Sequence, residues 1–417
     1  MSFNTSVSGI VTASADLGII GNNIANASTA GFKEARGEFT DIYATASGGG
    51  ANSSIGQGVR LNSVTQNFSQ GNLEFTQSSL DLAINGNGFF RLSDNGVATY
   101  TRAGSFQIDQ EGFLVNNSAM RLQGFPLGEG GDVVGPIGDI QLNLGLVEPE
   151  ATTEVSLRIN VDSRVADPLA WDFANLSEDM YNHSTSLNIY DSLGNPHVLT
   201  LFFMRDGANN WTARAAIDGE EMAETLNLPF LDSGALNVDP EDAATLRNLT
   251  IANWTPKDAN GVANGAAAGA DATFTVDLNN VTQFGAAFSV GGVLQDGYAA
   301  GELSGVEIDG DGVLSTRYTN GESRQQSQVV LANFTNPNGL KPVGDTAFVE
   351  TAAAGPVTIT NPGGAGTGNL QSGALEGSNV EITAQLVRMI VAQRNFQANA
   401  QMIQANDTVT QTMINLR

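Results

Sequence analysis

The chain reads as a mainly β protein closed at both ends by α-helices. The arrangement is discontinuous and multidomain: a coiled-coil inner domain plus two β-rich domains. Three observations predict it. Apolar residues recur every seven positions at the start, at Phe3, Ile10, Leu17 and Ile24. They recur the same way at the end, at Ile382, Met389, Phe396 and Ile403, with Leu386 added. Between these stripes the apolar period falls to two, broken by Asn-, Asp- and Gly-rich turns.

Composition narrows the function classes. The 417 residues exceed an ordinary single domain and can bury several cores. Eighteen basic against 44 acidic residues give a formal charge of −26, which argues against nucleic-acid or anionic-membrane binding. Cysteine is absent, which excludes disulfides and thiolate metal sites. The first charge is Asp16 and the first base Lys33, so the basic start of a secretory leader is missing; export without a cleaved signal peptide is expected. No apolar run has membrane-spanning length, and no membrane insertion is expected.

The elements follow in order. A first helix is expected from Thr5 to Ala27, its seven-residue spacing making a narrow seam, with Ser6, Ala13 and Ile20 beside the main stripe. Thr29-Ala30-Gly31 ends it. Residues 28–72, which include Ser47-Gly48-Gly49-Gly50, have the composition of a linker, as do 371–377. From Leu80 the chain alternates through Leu82 and Ile84, turns at Asn85-Gly86-Asn87-Gly88 and returns at Phe89 and Phe90. Residues 73–147 and 302–370 are expected to form a middle β-domain. Residues 148–301 carry 22 acidic and 6 basic residues, net −16, as suits a heavily solvated outer β-domain. Its clearest hairpin sets Leu187 and Ile189 against Val198, Thr200 and Phe202 across Asp191–Asn195. The last helix is expected over 378–417, with Ser378 as N-cap and Glu381 closing a capping box. At ~1.5 Å per residue, forty residues reach about 60 Å, so this helix should project. Residues 1–27 and 378–417 together form the expected inner coiled-coil domain.

No catalytic, cofactor or metal site is expected. Asp309-Gly310-Asp311-Gly312 lacks the further ligands of a calcium loop and reads as a hairpin turn. Gly86-Asn87-Gly88 lacks the third glycine of a dinucleotide fingerprint. His183 and His197 have no Cys or neighbouring His. The terminal apolar stripes point instead to packing between subunits of a polymer, because the β-rich segments offer the helices no evident partner.

Three ordered motifs carry a resemblance. Asn22-Asn23-Ile24-Ala25-Asn26 with Thr29-Ala30-Gly31-Phe32-Lys33 resembles the amino-terminal motif of the bacterial flagellar rod and hook axial proteins. Leu80-Asp81-Leu82-Ala83-Ile84 with Gly86-Asn87-Gly88-Phe89-Phe90 resembles their second motif, which Thr101–Gly104 and Asp109–Leu114 extend. Leu375–Val380, including Ser378, Asn379 and Val380, with Arg394–Asn399 resembles the carboxy-terminal one. Ile189–Asn195, Tyr318–Gly321 and Asn333–Leu340 are similar to the hook members in particular. Ser28 stands where Asn is common.

The resemblance implies a structural hook subunit that polymerises into a curved, flexible tube around the export channel. It implies an extracellular place in the flagellum and a homopolymer as first partner. Further implied partners are the flagellar rod, the hook cap protein, the hook–filament junction proteins and the type III export apparatus. A distal rod subunit is the rival reading within the family, against which the 148–301 insert speaks; a surface adhesin is the rival outside it.

Overall fold

The computed structural model describes residues 2–42, 56–128, 130–238, 247–252, 254–258, 260–267 and 273–415. Two compact units make up the chain. The first comprises residues 1–144, 305–317 and 323–417; the second comprises 145–304 and 318–322.

Both long helices belong to the first unit. Helix α1 spans Ser2–Ala25 and α2 spans Ile382–Asn415. Asn26 N–H donates to the Asn22 carbonyl at 3.1 Å, and the chain then turns through Asn26–Phe32. Gly31 makes that turn possible. Its φ of +71° is the left-handed region, and a Cβ there would collide with the backbone of Ala103.

The stretch expected to be a linker is instead a built element. Strands β1 (Ala35–Asp41) and β2 (Val59–Gln66) pair antiparallel with a bulge at Glu38/Phe39. The ribbon lies on α1, where Val59 N–H donates to Ser8 Oγ at 3.3 Å. Its polar and β-branched composition looks loop-like, but pairing and the helix beneath supply what composition does not. The Ser47–Gly50 stretch lies outside the described residues. Residues 371–377 are also paired: Asn369–Ser372 joins Leu82–Asn85, and Ala374–Glu376 joins Leu73–Phe75.

The remaining strands of this unit form a large antiparallel sheet. Its main path runs 303–308, 313–318, 323–329, 121–126, 89–94, 97–101, 347–349 and 341–344. The Phe89-Phe90 pair shows how alternation builds two cores. Phe90 joins Leu82, Ile84, Leu92, Leu122 and Leu331 in one. Phe89 points the other way into an aromatic cluster with Tyr100, Phe334 and Phe348, its ring edge-on to Phe334 at 6.0 Å. Asp309–Gly312 forms the expected hairpin turn, with Asp309 Oδ1 accepting from Asp311 and Val313 N–H.

The second unit is a two-sheet β-structure. One sheet is the meander His183–Tyr190, Pro196–Arg205, Asn210–Ile217 and Glu220–Pro229; the other centres on Glu154–Asp162. Val155, Leu157, Ile159 and Val161 meet Leu199, Leu201, Phe203 and Trp211 in one core. The expected hairpin forms, but its inward set is Leu199, Leu201 and Phe203; Val198 is exposed. The strand Pro196–Arg205 is apolar on both faces, and Trp171 and Tyr181 cover Phe202 from the other side, so alternation alone does not choose the face.

Candidate assembly surface

Helices α1 and α2 run antiparallel. Asn23 Nδ2 reaches Gln385 Oε1 at 3.4 Å, while Gly9 lies beneath the Asn399 side chain, fourteen residues away on each helix (23 to 9, 385 to 399). The residues buried on this side are Ser6, Ala13, Ile20 and Asn23 on α1, with Gln385 and Ala392 on α2. The seam within the chain is therefore small and polar. It is not the apolar heptad stripe.

That stripe is left largely uncovered. Phe3 is 54% exposed; Ile10, Leu17 and Ile24 are half-buried. On α2, Ile382 is 50%, Leu386 46% and Phe396 37% exposed, and Met389 and Ile403 are half-buried. Val387, Ile390, Val391, Val409, Met413 and Ile414 add to the exposed apolar surface. In the observed register Ser2 stands opposite Asn406, so Asp407–Asn415 runs past the start of α1. A surface this apolar on two helices is far more than the scattered exposed leucines of a monomer.

The base of the helix pair is tied by a polar network that the sequence reading missed. Asn23 Nδ2 donates to the Ala35 carbonyl (2.8 Å) and Asn23 Oδ1 accepts from Ala35 N–H (2.9 Å). Glu34 Oε1 accepts from Gln385 Nε2 at 2.7 Å and from Arg388 at 2.6 Å. Burial raises the Asp16 carboxyl above its usual range, against the pull of Arg388.

Below it lies a buried ion cluster. Glu376 Oε1 pairs with Lys33 Nζ at 2.6 Å and Oε2 with Arg102 at 3.0 Å, with Lys33 and Glu376 side chains fully buried. Gly71 N–H donates to the same carboxylate at 2.9 Å, and Lys33 also donates to the Ser69 carbonyl at 2.8 Å. Burial pushes both cations below their ordinary pKa, while Glu376 opposes the shift. One carboxylate thus joins the segment after α1, the strand turn at Arg102 and the segment before α2. The motif residue Asp81 works nearby, accepting from Thr76 Oγ1 at 2.8 Å, with its carbonyl accepting from Gly373 N–H at 2.9 Å.

The motif before α2 does not cap it as expected. Helix α2 starts at Ile382, and its first turn is closed by Gln385 N–H on the Glu381 carbonyl at 3.0 Å. Ser378 Oγ accepts instead from Val380 N–H at 3.3 Å. The reason is Asn379: its Oδ1 accepts from Glu34 N–H at 2.7 Å and its Nδ2 donates to the Asn67 carbonyl at 2.7 Å. These bonds hold residues 378–381 outside the helix.

Both histidines lie in the second unit. The His197 ring sits between Asp218 (2.6 Å) and Asp191 (3.3 Å). Burial raises the Asp191 carboxyl, but hydrogen bonds from Asn195, Asn264 and His197 outweigh this and hold it below the usual range. His183 stacks on Phe288 at 4.6 Å and on Trp211 at 5.7 Å, and its Nε2 accepts from Asp162 N–H at 3.4 Å. Burial holds its imidazole below the ordinary pKa, against the pull of Asp162. The unfolded chain therefore binds a proton near pH ~6.5 that the folded unit resists. Stability of this unit should be full above that pH and fall as pH drops toward the folded-state value. In His183→Phe the slope between pH ~6.5 and ~5 should flatten, read by tryptophan-monitored urea unfolding, since all three tryptophans lie in this unit. Among the described residues no group of three His, Cys, Asp or Glu side chains is arranged to hold a metal ion.

Comparison with known proteins accounts for the whole length. Residues 3–33 match the flagella basal body rod protein family and 83–166 the flagellar hook protein FlgE/F/G D1 domain. Residues 160–298 match the flagellar basal body protein FlaE D2 domain and 371–416 the flagellar basal body rod FlgEFG protein C-terminal family. The flagellar hook protein FlgE of Escherichia coli is 36% identical over 430 residues, covering 100% of both chains. That of Borreliella burgdorferi is 35% identical over 447 residues, covering 100% of this chain and 99% of its own. The crystal structure of Helicobacter pylori flagellar hook protein FlgE2 shares the fold at a TM-score of 0.50 with 13% identity, over 73% of this chain and 100% of that one. End-to-end identity together with the matched central D2 domain places the chain in the flagellar hook protein family, as a structural subunit of the bacterial flagellar hook.

Proposed function

We propose that this hook subunit polymerises through α1 and α2 into a curved, flexible tube outside the cell. In this reading Phe3, Ile10, Leu17 and Ile24 pack with Ile382, Leu386, Met389, Phe396 and Ile403 of neighbouring copies. The helices line the export channel, and the β-rich parts form the outer layers of the tube. The single observation that carries this is the division of the helix surfaces: the seam within the chain is small and polar, while the apolar residues are left outward. Burying such side chains is worth about 1.5–3 kcal/mol each, a gain that only another chain can supply here.

The tube would bend while transmitting torque from rod to filament. The remaining partners are the rod, the hook cap protein, the hook–filament junction proteins and the type III export apparatus, through which the subunit would leave without a cleaved signal. The role is structural, with no chemistry assigned to any residue. Electron microscopy of the purified chain tests the reading directly. Full-length protein should form tubes, and removal of residues 378–417 should give soluble monomers; tubes from the truncated chain would refute a terminal assembly core.

A further inference from the structure

The contact between Gly9 and Asn399 sets the register of the helix pair. A Cβ built on Gly9 would stand 2.6 Å from Asn399 Oδ1, 2.7 Å from Cγ and 2.8 Å from Nδ2. Asn399 is itself held by its Nδ2 donating to the Asn395 carbonyl at 2.9 Å, which aims the amide across the seam. Positions 2, 9, 16 and 23 are the successive heptad equivalents on α1, occupied by Ser, Gly, Asp and Asn. Only Gly9 lacks a Cβ. A slip of one heptad either way sets Asn399 against Ser2 or Asp16, whose Cβ atoms occupy the space the amide needs. The same slip separates buried Asn23 from buried Gln385.

We infer that Gly9 and Asn399 act as a register lock, with Asn23–Gln385 as the second pin two heptads away. A small and polar seam is a weak source of affinity but a strong source of uniqueness, because a buried polar or close-packed small position penalises every wrong alignment. An apolar seam would tolerate slippage. The lock holds the outward apolar residues of both helices in one fixed pattern. Its purpose rests on the assembly reading above; its existence does not, because it is measurable in the unassembled chain.

The test uses the full-length protein. With no native cysteine, spin labels at introduced cysteines replacing Val11 and Thr383, both exposed, report the helix register. A one-heptad slip moves one helix by roughly 10 Å along the other. Leucine and alanine are both far better helix formers than glycine, so without a lock Gly9→Leu and Gly9→Ala would leave the distance unchanged and raise the melting temperature of the helical signal. The lock predicts the opposite. In Gly9→Leu the native distance should fall to a minor population, and Gly9→Ala should melt lower than wild type despite its better propensity. Asn399→Ala combined with either should restore the native distance. An unchanged distance with equal or higher melting in both single variants would overturn the lock, and so would failure of Asn399→Ala to rescue Gly9→Ala. If wild-type protein forms no tubes, the assembly reading fails while the distance measurement still decides the lock.

Discussion

Glu376→Ala is expected to destabilise the first unit by about 3–5 kcal/mol, the cost of breaking a buried ion pair from one side. The substitution strands two cations: Lys33 is fully buried and the Arg102 side chain is 3% exposed. It also removes the acceptor for Gly71 N–H. Burial already disfavours both charges, so without the carboxylate nothing opposes that pressure. Lys33→Met should cost much less. It leaves a neutral Arg102–Glu376 pair in place of a cluster with net charge +1, and it puts a flexible apolar chain in the vacated space. Both helices lie in the first unit, so urea unfolding followed by helical dichroism reads it directly. Equal losses in the two variants would show that the cluster is not organised around Glu376.

Phe396→Asp and Leu17→Asp are expected to leave both units folded and to abolish tube formation. Phe396 is already 37% exposed and Leu17 half-buried, so the cost within the chain is small. Between copies the cost is large, because each subunit would bury a carboxylate where an apolar side chain belongs. Losing about 3 kcal/mol per subunit raises the critical concentration more than a hundredfold. Circular dichroism should show native helix and strand content while electron microscopy shows monomers. Normal tubes from either variant would remove the apolar stripe from the assembly surface.

Much of the architecture was legible along the chain. The change of period from seven to two located the helices and the β-rich middle, and Asn-Gly and Asp-Gly turns located the hairpins. Less was legible where two segments distant in sequence create the environment. The ribbon of β1 and β2 read as a linker, because its strands pair across a loop and rest on α1. Ser378 and Glu381 have capping-box spacing, yet Asn379 is held by Glu34 and Asn67, more than 300 residues earlier. The ion cluster left only a faint trace: Lys33, Arg102 and Glu376 sit beside glycines in three motifs, but nothing in their spacing shows that they meet.

The sequence by itself determined that this protein begins and ends in heptad helices, that its middle is β-rich and acidic, and that its motifs are those of a flagellar axial subunit. Local periodicity and turn chemistry suffice for that, because they act over a few residues. Only the tertiary structure decided which stripe of each helix serves its own chain. Phe3, Ile10, Leu17 and Ile24 share their seven-residue spacing with Ser6, Ala13 and Ile20, so period cannot choose between them. The choice rests on how closely two backbones approach at Gly9 and Asn399, a steric fact that exists only once residues nearly 400 positions apart are brought together.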